Sequence, residues 1–273
     1  MKKKLSLREI QNAEFDMLCD FQEFCDEYGF NPILAYGTLL GAIRHKGFIP
    51  WDDDVDVYME RTEYDRFVQI YNKVKKNKNY KLVSCVEGSS MFLFSKIIDL
   101  RTSINRPSAF IVEPNKIWID VFPLDVVPDN RIRRKVYFLK AAMYLSWFGL
   151  ANTNPNSSSR AGIKGSINRL GGFIFKRIIG TERICRMSIE SAKKYRSSSN
   201  KDCVCFTWNF DGDRESFPIV GLKNPCDVEF QGKKFKAMSG WEDYLSRLYG
   251  SDYMKLPIES KRICHEMEAW IEV

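Results

Sequence analysis

The first 29 residues have a pattern of apolar and polar positions that predicts an amphipathic helix. Residues 6–9 read Ser-Leu-Arg-Glu, a capping-box pattern in which two side chains satisfy the first backbone N–H groups of a helix. Apolar residues then recur at helical spacing until a glycine interrupts them; they are Ile10, Met17, Phe21, Phe24 and Tyr28, followed by Gly29. We predict that this helix serves only for packing.

The rest of the chain alternates between short strands and helices. In the first half the pattern predicts strands at 33–36, 54–57, 80–85, 91–99 and 116–125, and helices at 39–44 and 61–74. In the second half it predicts an apolar helix at 136–150, a linker at 152–159, a basic amphipathic stretch at 164–179, a helix at 181–195, a strand at 203–207, a hairpin at 227–236 and a helix at 240–250.

Composition narrows the class of protein. The 273 residues are 44% hydrophobic and 14% aromatic, which predicts an ordered globular protein with a large core. A net charge of +7 suits acidic partners such as nucleotides, anionic glycans or a phospholipid surface. We find no zinc-finger spacing, no aromatic-basic RNA-binding pattern and no basic recognition helix, so nucleic acid is not an expected partner.

The cysteines and the N-terminus favour a cytoplasmic protein with free thiols. Eight cysteines are scattered through core-like positions and none forms Cys-x-x-Cys, while the first residues lack an apolar signal core. Cys203-x-Cys205 is better explained by a strand with oppositely facing thiols than by a metal site.

The acidic segment Asp52-Asp53-Asp54-Val55-Asp56-Val57 carries the candidate chemistry. On a strand, Asp54 and Asp56 would point to one face and the valines to the other. Two adjacent carboxylates repel each other unless a cation lies between them, and Mg²⁺ is the natural ion for oxygen ligands. An isolated Asp-x-Asp is also typical of a solvated edge, but the surrounding apolar residues favour a buried strand.

Phosphate contacts are predicted around this segment. The Gly37-Thr38 turn offers backbone N–H groups at a helix start, and Arg44, His45 and Lys46 form a basic loop before the carboxylates. Lys96 shares a strand face with Phe92, Phe94 and Ile98, where a buried ammonium would need an anion. Lys96 is therefore either a phosphate ligand or a solvent-facing lysine on an edge strand.

From Ala35 to Val57 the chain closely resembles the signature of the LicD family, the relatives of fukutin. The resemblance extends over about residues 5–127 and 203–265. It implies an α/β (α+β) fold in which a nucleotidyltransferase-like mixed sheet is flanked by helices. It also implies a catalytic core at 1–128, a basic helical insertion at 129–200 that meets the acceptor or the membrane, and a C-terminal part at 201–273 that completes the catalytic domain.

The resemblance implies an Mg²⁺-dependent phosphotransferase, with Mn²⁺ as the other candidate ion. Such an enzyme moves phosphocholine from CDP-choline to a hydroxyl of a bacterial surface glycan (teichoic acid, lipopolysaccharide or capsule) or its lipid-linked precursor, and releases CMP. Asp54, Asp56 and Asp120 would bind the metal, and Asp120 would orient or deprotonate the hydroxyl. The expected substrate-binding residues are Gly37, Thr38, Arg44, His45, Lys46, Trp51, Asp53, Lys96 and His265. Aromatic candidates for a choline wall are Tyr36, Trp51, Tyr58, Phe92, Phe94 and Trp118.

Other functions remain open from the sequence. The same carboxylates would serve transfer of ribitol phosphate or glycerol phosphate from the CDP-linked donor. An NTP-dependent nucleotidyltransferase would instead release pyrophosphate, and a membrane-docked scaffold would catalyse nothing. The apolar segment at 136–150 follows a basic collar, so it is either a core helix or an interfacial helix on the inner face of the plasma membrane.

Overall fold

A mixed seven-stranded sheet positions the predicted carboxylates. The computed structural model describes residues 2–85, 88–90, 92–105, 115–152, 177, 179–196, 201–262 and 267–272. The strands are β1 Lys2–Leu5, β2 Ile33–Leu34, β3 Asp56–Glu60, β4 Tyr80–Val83, β5 Ser95–Asp99, β6 Thr102–Asn105, β7 Trp118–Val126, β8 Asp202–Val204, β9 Phe217–Pro218, β10 Cys226–Phe230, β11 Lys233–Ala237 and β12 Glu268–Glu272.

Helices flank this sheet, and the first of them has the ends that the sequence predicts. The helices are α1 Leu7–Tyr28, α2 Tyr36–His45, α3 Arg61–Val74, α4 Arg131–Ala151, α5 Thr181–Ala192, α6 Ile219–Lys223 and α7 Trp241–Tyr249. In α1 the Ser6 hydroxyl accepts a hydrogen bond from the Glu9 backbone N–H, and Gly29 ends the helix at φ 69°. The predicted packing helix is thereby confirmed.

The strand order brings three charged positions into one row. The sheet runs β2-β3-β7-β5-β4, and β8 continues from the end of β7 and pairs with β9. Strands β3 and β7 are parallel, with Asp56 opposite Asp120, while β5 and β7 are antiparallel, with Lys96 opposite Asp120. Directly opposed residues project from the same face of a sheet. The mixed sheet and its flanking helices confirm the predicted α+β, nucleotidyltransferase-like fold.

A second sheet brings the two ends of the described chain together. It has the order β1-β12-β6, and all its pairs are antiparallel. We predicted none of these three strands. The lysines of β1 hide its period, β6 begins only three residues after the end of β5, and β12 lies in the weakly patterned C-terminus. The predicted hairpin is confirmed as β10 and β11, with Gln231 and Gly232 in the left-handed region at φ 52° and 76°.

A second apolar cluster lies around the helices of the predicted insertion. Helices α4 and α5 pack together with the chain that follows β8, and the cluster includes Tyr137, Tyr144, Phe148, Ile184 and Phe206. Most of the predicted linker at 152–159 and of the basic stretch at 164–179 lies outside the described residues. The three-part division of the chain stays a prediction.

A buried ion pair fastens α3 to β7. The guanidinium of Arg61 donates to both oxygens of Asp125 at 2.7 and 2.8 Å, and both residues are almost fully buried. Asp125 therefore holds the helix that follows β3 against the strand that carries Asp120. A bidentate pair of this kind fixes geometry as well as distance.

Candidate active site

The row of charges on β3, β7 and β5 forms the centre of the site. Asp56 and Asp120 are each 8% exposed, and Lys96 is 5% exposed. The Lys96 ammonium contacts Asp120 Oδ1 at 2.5 Å, and the Trp118 indole N–H donates to Asp120 Oδ2 at 3.1 Å. The edge-strand explanation of Lys96 is wrong, because β5 lies between β7 and β4. The anion that a buried lysine requires is a carboxylate of the protein itself.

Asp54 precedes the strand instead of belonging to it. Strand β3 begins at Asp56, whose backbone N–H donates to the Thr38 hydroxyl at 2.8 Å. The predicted strand start at Asp54 is thus wrong, since α2 supplies a side-chain acceptor where a sheet partner was expected. Thr38 is buried beneath the site and holds Asp56 from α2; it lines neither of the cavities described below.

Two cavities meet at the carboxylates. The larger has a volume of about 780 Å³ and the smaller about 300 Å³, and Tyr36, Asp54 and Asp56 line both. Lys96 and Asp120 line the smaller one only. Tyr36 has φ 39°, an unusual value for a residue with a side chain, and such strained backbone often occurs at functional sites. The three predicted metal ligands therefore face a common space.

Burial and like charge shape the electrostatics here. Burial raises the pKa of Asp56 well above its usual range, and the neighbouring Asp54, Asp120 and Asp52 raise it further, with Lys96 opposing. Glu14 on α1 is fully buried, and its carboxyl oxygens have no hydrogen-bond partner within the described part of the chain. Burial, and then Asp54, raise the pKa of Glu14. The site carries a surplus of negative charge.

The other predicted substrate ligands fall into two groups. Gly37, Arg44 and Trp51 line the larger cavity, where the carboxylate of Asp52 would lie 3.0 Å from any Cβ added at Gly37. A glycine at position 37 lets the Asp52 carboxylate approach the backbone of α2 without this close contact. By contrast, Asp53, His45 and Lys46 line neither cavity.

Arg44 is tied to the C-terminal part of the chain. Its Nη1 donates to the carbonyl of Tyr253 at 2.6 Å, and its Nε donates to His45 Nε2 at 2.9 Å. Burial and the adjacent Arg44 lower the pKa of His45, which favours the neutral ring that can accept this bond. His265 lies outside the described residues.

Comparison with known proteins identifies the family. Residues 29–145 match the family described as LicD/FKTN/FKRP, nucleotidyltransferase domain. The chain is 30% identical to the lipopolysaccharide cholinephosphotransferase LicD of Haemophilus influenzae, over 98% of this chain and 99% of that protein. The chain belongs to the LicD family. A further match, 34% identical over 35% of this chain, is to an uncharacterized protein of Rickettsia typhi and covers 30% of it.

Membership of the LicD family makes the chain a transferase, and the carboxylates of its site are oxygen donors of the kind that Mg²⁺ prefers. Asp54, Asp56 and Asp120 offer hard oxygen donors to one cavity, and the negative charge around Asp56 is only partly offset by Lys96. Among the described residues no three carboxylate, imidazole or thiol groups already lie at metal-binding spacing. Asp120 Oδ1 accepts from the Lys96 ammonium and Oδ2 accepts from the Trp118 indole N–H.

Sequence reasoning missed several residues of this LicD site. Trp208, Phe210, Asp211 and Glu215 line the smaller cavity from the loop after β8. No short-range pattern links them to the acidic segment. Glu14 could have been found, because it lies four residues after Ile10 and three before Met17 and so falls on the buried face of α1.

Replacing Thr38 with valine is expected to destabilise the protein by about 1–2 kcal/mol, because the buried N–H of Asp56 loses its acceptor. Transferase activity should fall about tenfold or more, since Asp56 is then less firmly placed. Urea denaturation and an activity assay measure the two effects. Thr38→Ser keeps the hydroxyl and is the matched control; equal behaviour of the two variants would show that the hydroxyl does not position Asp56.

Proposed function

We propose that this LicD-family protein is an Mg²⁺-dependent transferase that moves phosphocholine from CDP-choline to a hydroxyl of a bacterial surface glycan or its lipid-linked precursor, with release of CMP. One observation carries the proposal: Asp54 and Asp56 stand on the shared wall of two cavities, with Asp120 beside them on the next strand. The similarity to a lipopolysaccharide cholinephosphotransferase over nearly the whole chain supports the transferred group and the class of acceptor.

The two cavities suit the two halves of the donor. The larger one is of a size to hold the cytidine nucleotide and contains Gly37 at the start of α2, where backbone N–H groups attract anions. The smaller one would hold the phosphocholine half. The diphosphate would then lie over Asp54 and Asp56, which the two cavities share.

The residues around the diphosphate have separate tasks. Asp54, Asp56 and Asp120 would hold Mg²⁺, which supplies charge neutralisation to the diphosphate. Lys96 would place its ammonium beside the phosphate that is transferred, and Asp120 would orient the acceptor hydroxyl or accept its proton. Positioning and electrostatic stabilisation supply most of the rate in phosphoryl transfer, and both depend here on rigid neighbouring strands.

A comparison of donors tests this proposal. Purified protein is incubated with Mg²⁺ and either CDP-choline, CDP-ribitol or CDP-glycerol, and CMP is measured; CTP is included and assayed for pyrophosphate. We expect CMP from CDP-choline. CMP from CDP-ribitol or CDP-glycerol alone would change the transferred group, and pyrophosphate from CTP alone would replace the proposal with a nucleotidyltransferase.

We also propose that α4 docks on an anionic lipid surface, where a lipid-linked acceptor would be met. Ile132, Val136 and Leu139 follow helical spacing on the exposed side of α4 and are 74%, 46% and 69% exposed. Exposed Arg131, Arg133 and Lys135 alternate with them along the helix. An apolar stripe with adjacent cations has the chemistry of an interfacial helix. Within the described ranges, every helix is too short or too polar to cross a membrane.

Sedimentation with vesicles tests this contact. The protein is expected to pellet with phosphatidylglycerol vesicles at low salt and to remain in solution with phosphatidylcholine vesicles. Leu139→Asp should reduce pelleting severalfold because it places a negative charge on the stripe, whereas Met254→Asp alters an exposed apolar residue elsewhere and should not. Undiminished pelleting of the Leu139 variant, or none of the wild type, would contradict the proposal.

A further inference from the structure

The lining of the smaller cavity is unusual in its chemistry. Thirteen residues line it: seven are aromatic, five are acidic and the remaining one is Lys96. A phosphate alone would call for cations, and a polyol would call for neutral hydrogen-bonding side chains. Aromatic faces backed by carboxylates are what a quaternary ammonium group requires, because it cannot donate a hydrogen bond and is attracted by ring faces and negative charge.

Trp208 stands at the centre of the aromatic part. Its ring centroid lies 4.9 Å from that of Phe94, 5.1 Å from that of Phe210 and 6.2 Å from that of Phe92. Phe210 is 67% exposed, although a ring of that size is normally buried. An exposed ring against Trp208, among residues that line the cavity, fits contact with a ligand better than it fits packing.

Three of the rings that line the smaller cavity contact the ammonium of Lys96. The Lys96 ammonium lies 4.4 Å from the centroid of Trp118, 4.5 Å from that of Phe92 and 5.0 Å from that of Phe94. The rings that line the cavity are therefore arranged to receive positive charge. Lys96 remains on the Asp120 side, and Trp208 extends the aromatic wall beyond it.

A buried carboxylate supplies the countercharge beside Trp208. Glu215 is 2% exposed and accepts hydrogen bonds from the Tyr36 hydroxyl at 2.9 Å and from the backbone N–H groups of Phe210 and Asp211 at 2.7 and 2.8 Å. Through these bonds Glu215 connects Tyr36 to the loop that contains Phe210 and Asp211. Glu215 thus anchors the aromatic wall and places negative charge within the cavity lining.

We propose that Trp208, Phe92, Phe94 and Phe210, backed by Glu215 and Asp211, form the subsite for the trimethylammonium group of the donor. Trp208 is the residue that selects a cationic alcohol over ribitol or glycerol. The proposal rests on the proposed function, since it assigns one end of the donor to the smaller cavity. It also narrows the sequence-based candidates, because Trp51 lines only the larger cavity, and Tyr58 is fully buried with its hydroxyl bonded to Tyr244.

A neutral isostere of the donor provides the test. In CDP-3,3-dimethylbutanol a carbon atom replaces the choline nitrogen, so size is kept and charge is lost. We expect the wild type to prefer CDP-choline in kcat/KM by about 10- to 30-fold, and Trp208→Leu to reduce that preference to within about threefold. Trp208→Phe and Glu215→Gln should give intermediate ratios. Trp241→Leu, a tryptophan that lines neither cavity, should leave the ratio unchanged.

The outcomes separate this inference from the function on which it rests. If the wild type releases CMP equally from both compounds, or if folded Trp208→Leu and Trp208→Phe keep the full preference, the subsite is wrong and the transferase stands. If no donor yields CMP, the proposed function fails. The subsite is then tested by calorimetry with choline against 3,3-dimethylbutanol, where equal affinity, or choline binding unaltered in Trp208→Phe, overturns it.

Discussion

Asp56→Asn is expected to abolish CMP release from CDP-choline, with a loss of about 1,000-fold or more, while the protein without metal becomes no less stable. Under the proposed function the activity is lost because the side chain on the wall shared by both cavities would no longer offer a carboxylate to Mg²⁺. The stability is kept because burial and the neighbouring acids already oppose ionisation of Asp56. A CMP assay and thermal unfolding in EDTA measure the two effects.

The pH dependence of stability tests whether the ionised carboxylate of Asp56 destabilises the folded protein. The folded-state pKa of Asp56 is raised, so the folded protein binds this proton more tightly than the unfolded chain does. That contribution to stability is full below about pH 4, the unfolded pKa, and is lost as the pH rises through the folded pKa. The advantage of Asp56→Asn should therefore grow with rising pH above about 4. A variant less stable than wild type throughout would contradict the account.

Asp120→Asn is expected to abolish turnover as well, but to destabilise the protein by about 3 kcal/mol. Asp56 and Asp120 are equally exposed, but their effects on stability should be opposite. Asp120 forms an ion pair with the buried ammonium of Lys96. Neutralising Asp120 removes the carboxylate that contacts this ammonium at 2.5 Å, and breaking a buried ion pair from one side is costly. Urea denaturation measures the loss, with Asp56→Asn as the matched control on the neighbouring strand.

The double variant Asp120→Asn/Lys96→Met supplies the second half of this test. Removing both charges leaves neither member of this ion pair buried without the other, so the double variant should be more stable than Asp120→Asn alone. A double variant as unstable as the sum of the two single changes would mean that Lys96 and Asp120 do not stabilise each other. The urea denaturation midpoints of the single and double variants measure this difference.

The parts of the fold that follow from local rules could be predicted from the sequence. The capping box at Ser6, the glycine stop at Gly29 and the turn at Gln231-Gly232 each encode one local conformation, and each is present. The mixed sheet and the family followed from the resemblance over the acidic segment. The pairing of Asp56 with Asp120 depends on strand order, which the spacing of residues along the chain does not contain.

The errors have identifiable physical causes. β3 begins at Asp56 and not at Asp54, because the Thr38 hydroxyl takes the N–H that would have continued the sheet. Lys96 looked compatible with an edge strand, since periodicity reports which face a residue occupies and not whether a strand has two neighbours. Trp208 and Glu215 reach the site from the loop after β8, and only the tertiary fold brings them to the smaller cavity.

The metal dependence of CMP release tests the central claim most directly. The protein is freed of divalent ions with EDTA, mixed with CDP-choline, and assayed before and after Mg²⁺ is restored, with Asp56→Asn in parallel. The account predicts CMP release that begins only when Mg²⁺ is added to the wild type and stays at background in the variant. Undiminished CMP release in EDTA, or equal Mg²⁺-dependent release by Asp56→Asn, would contradict it.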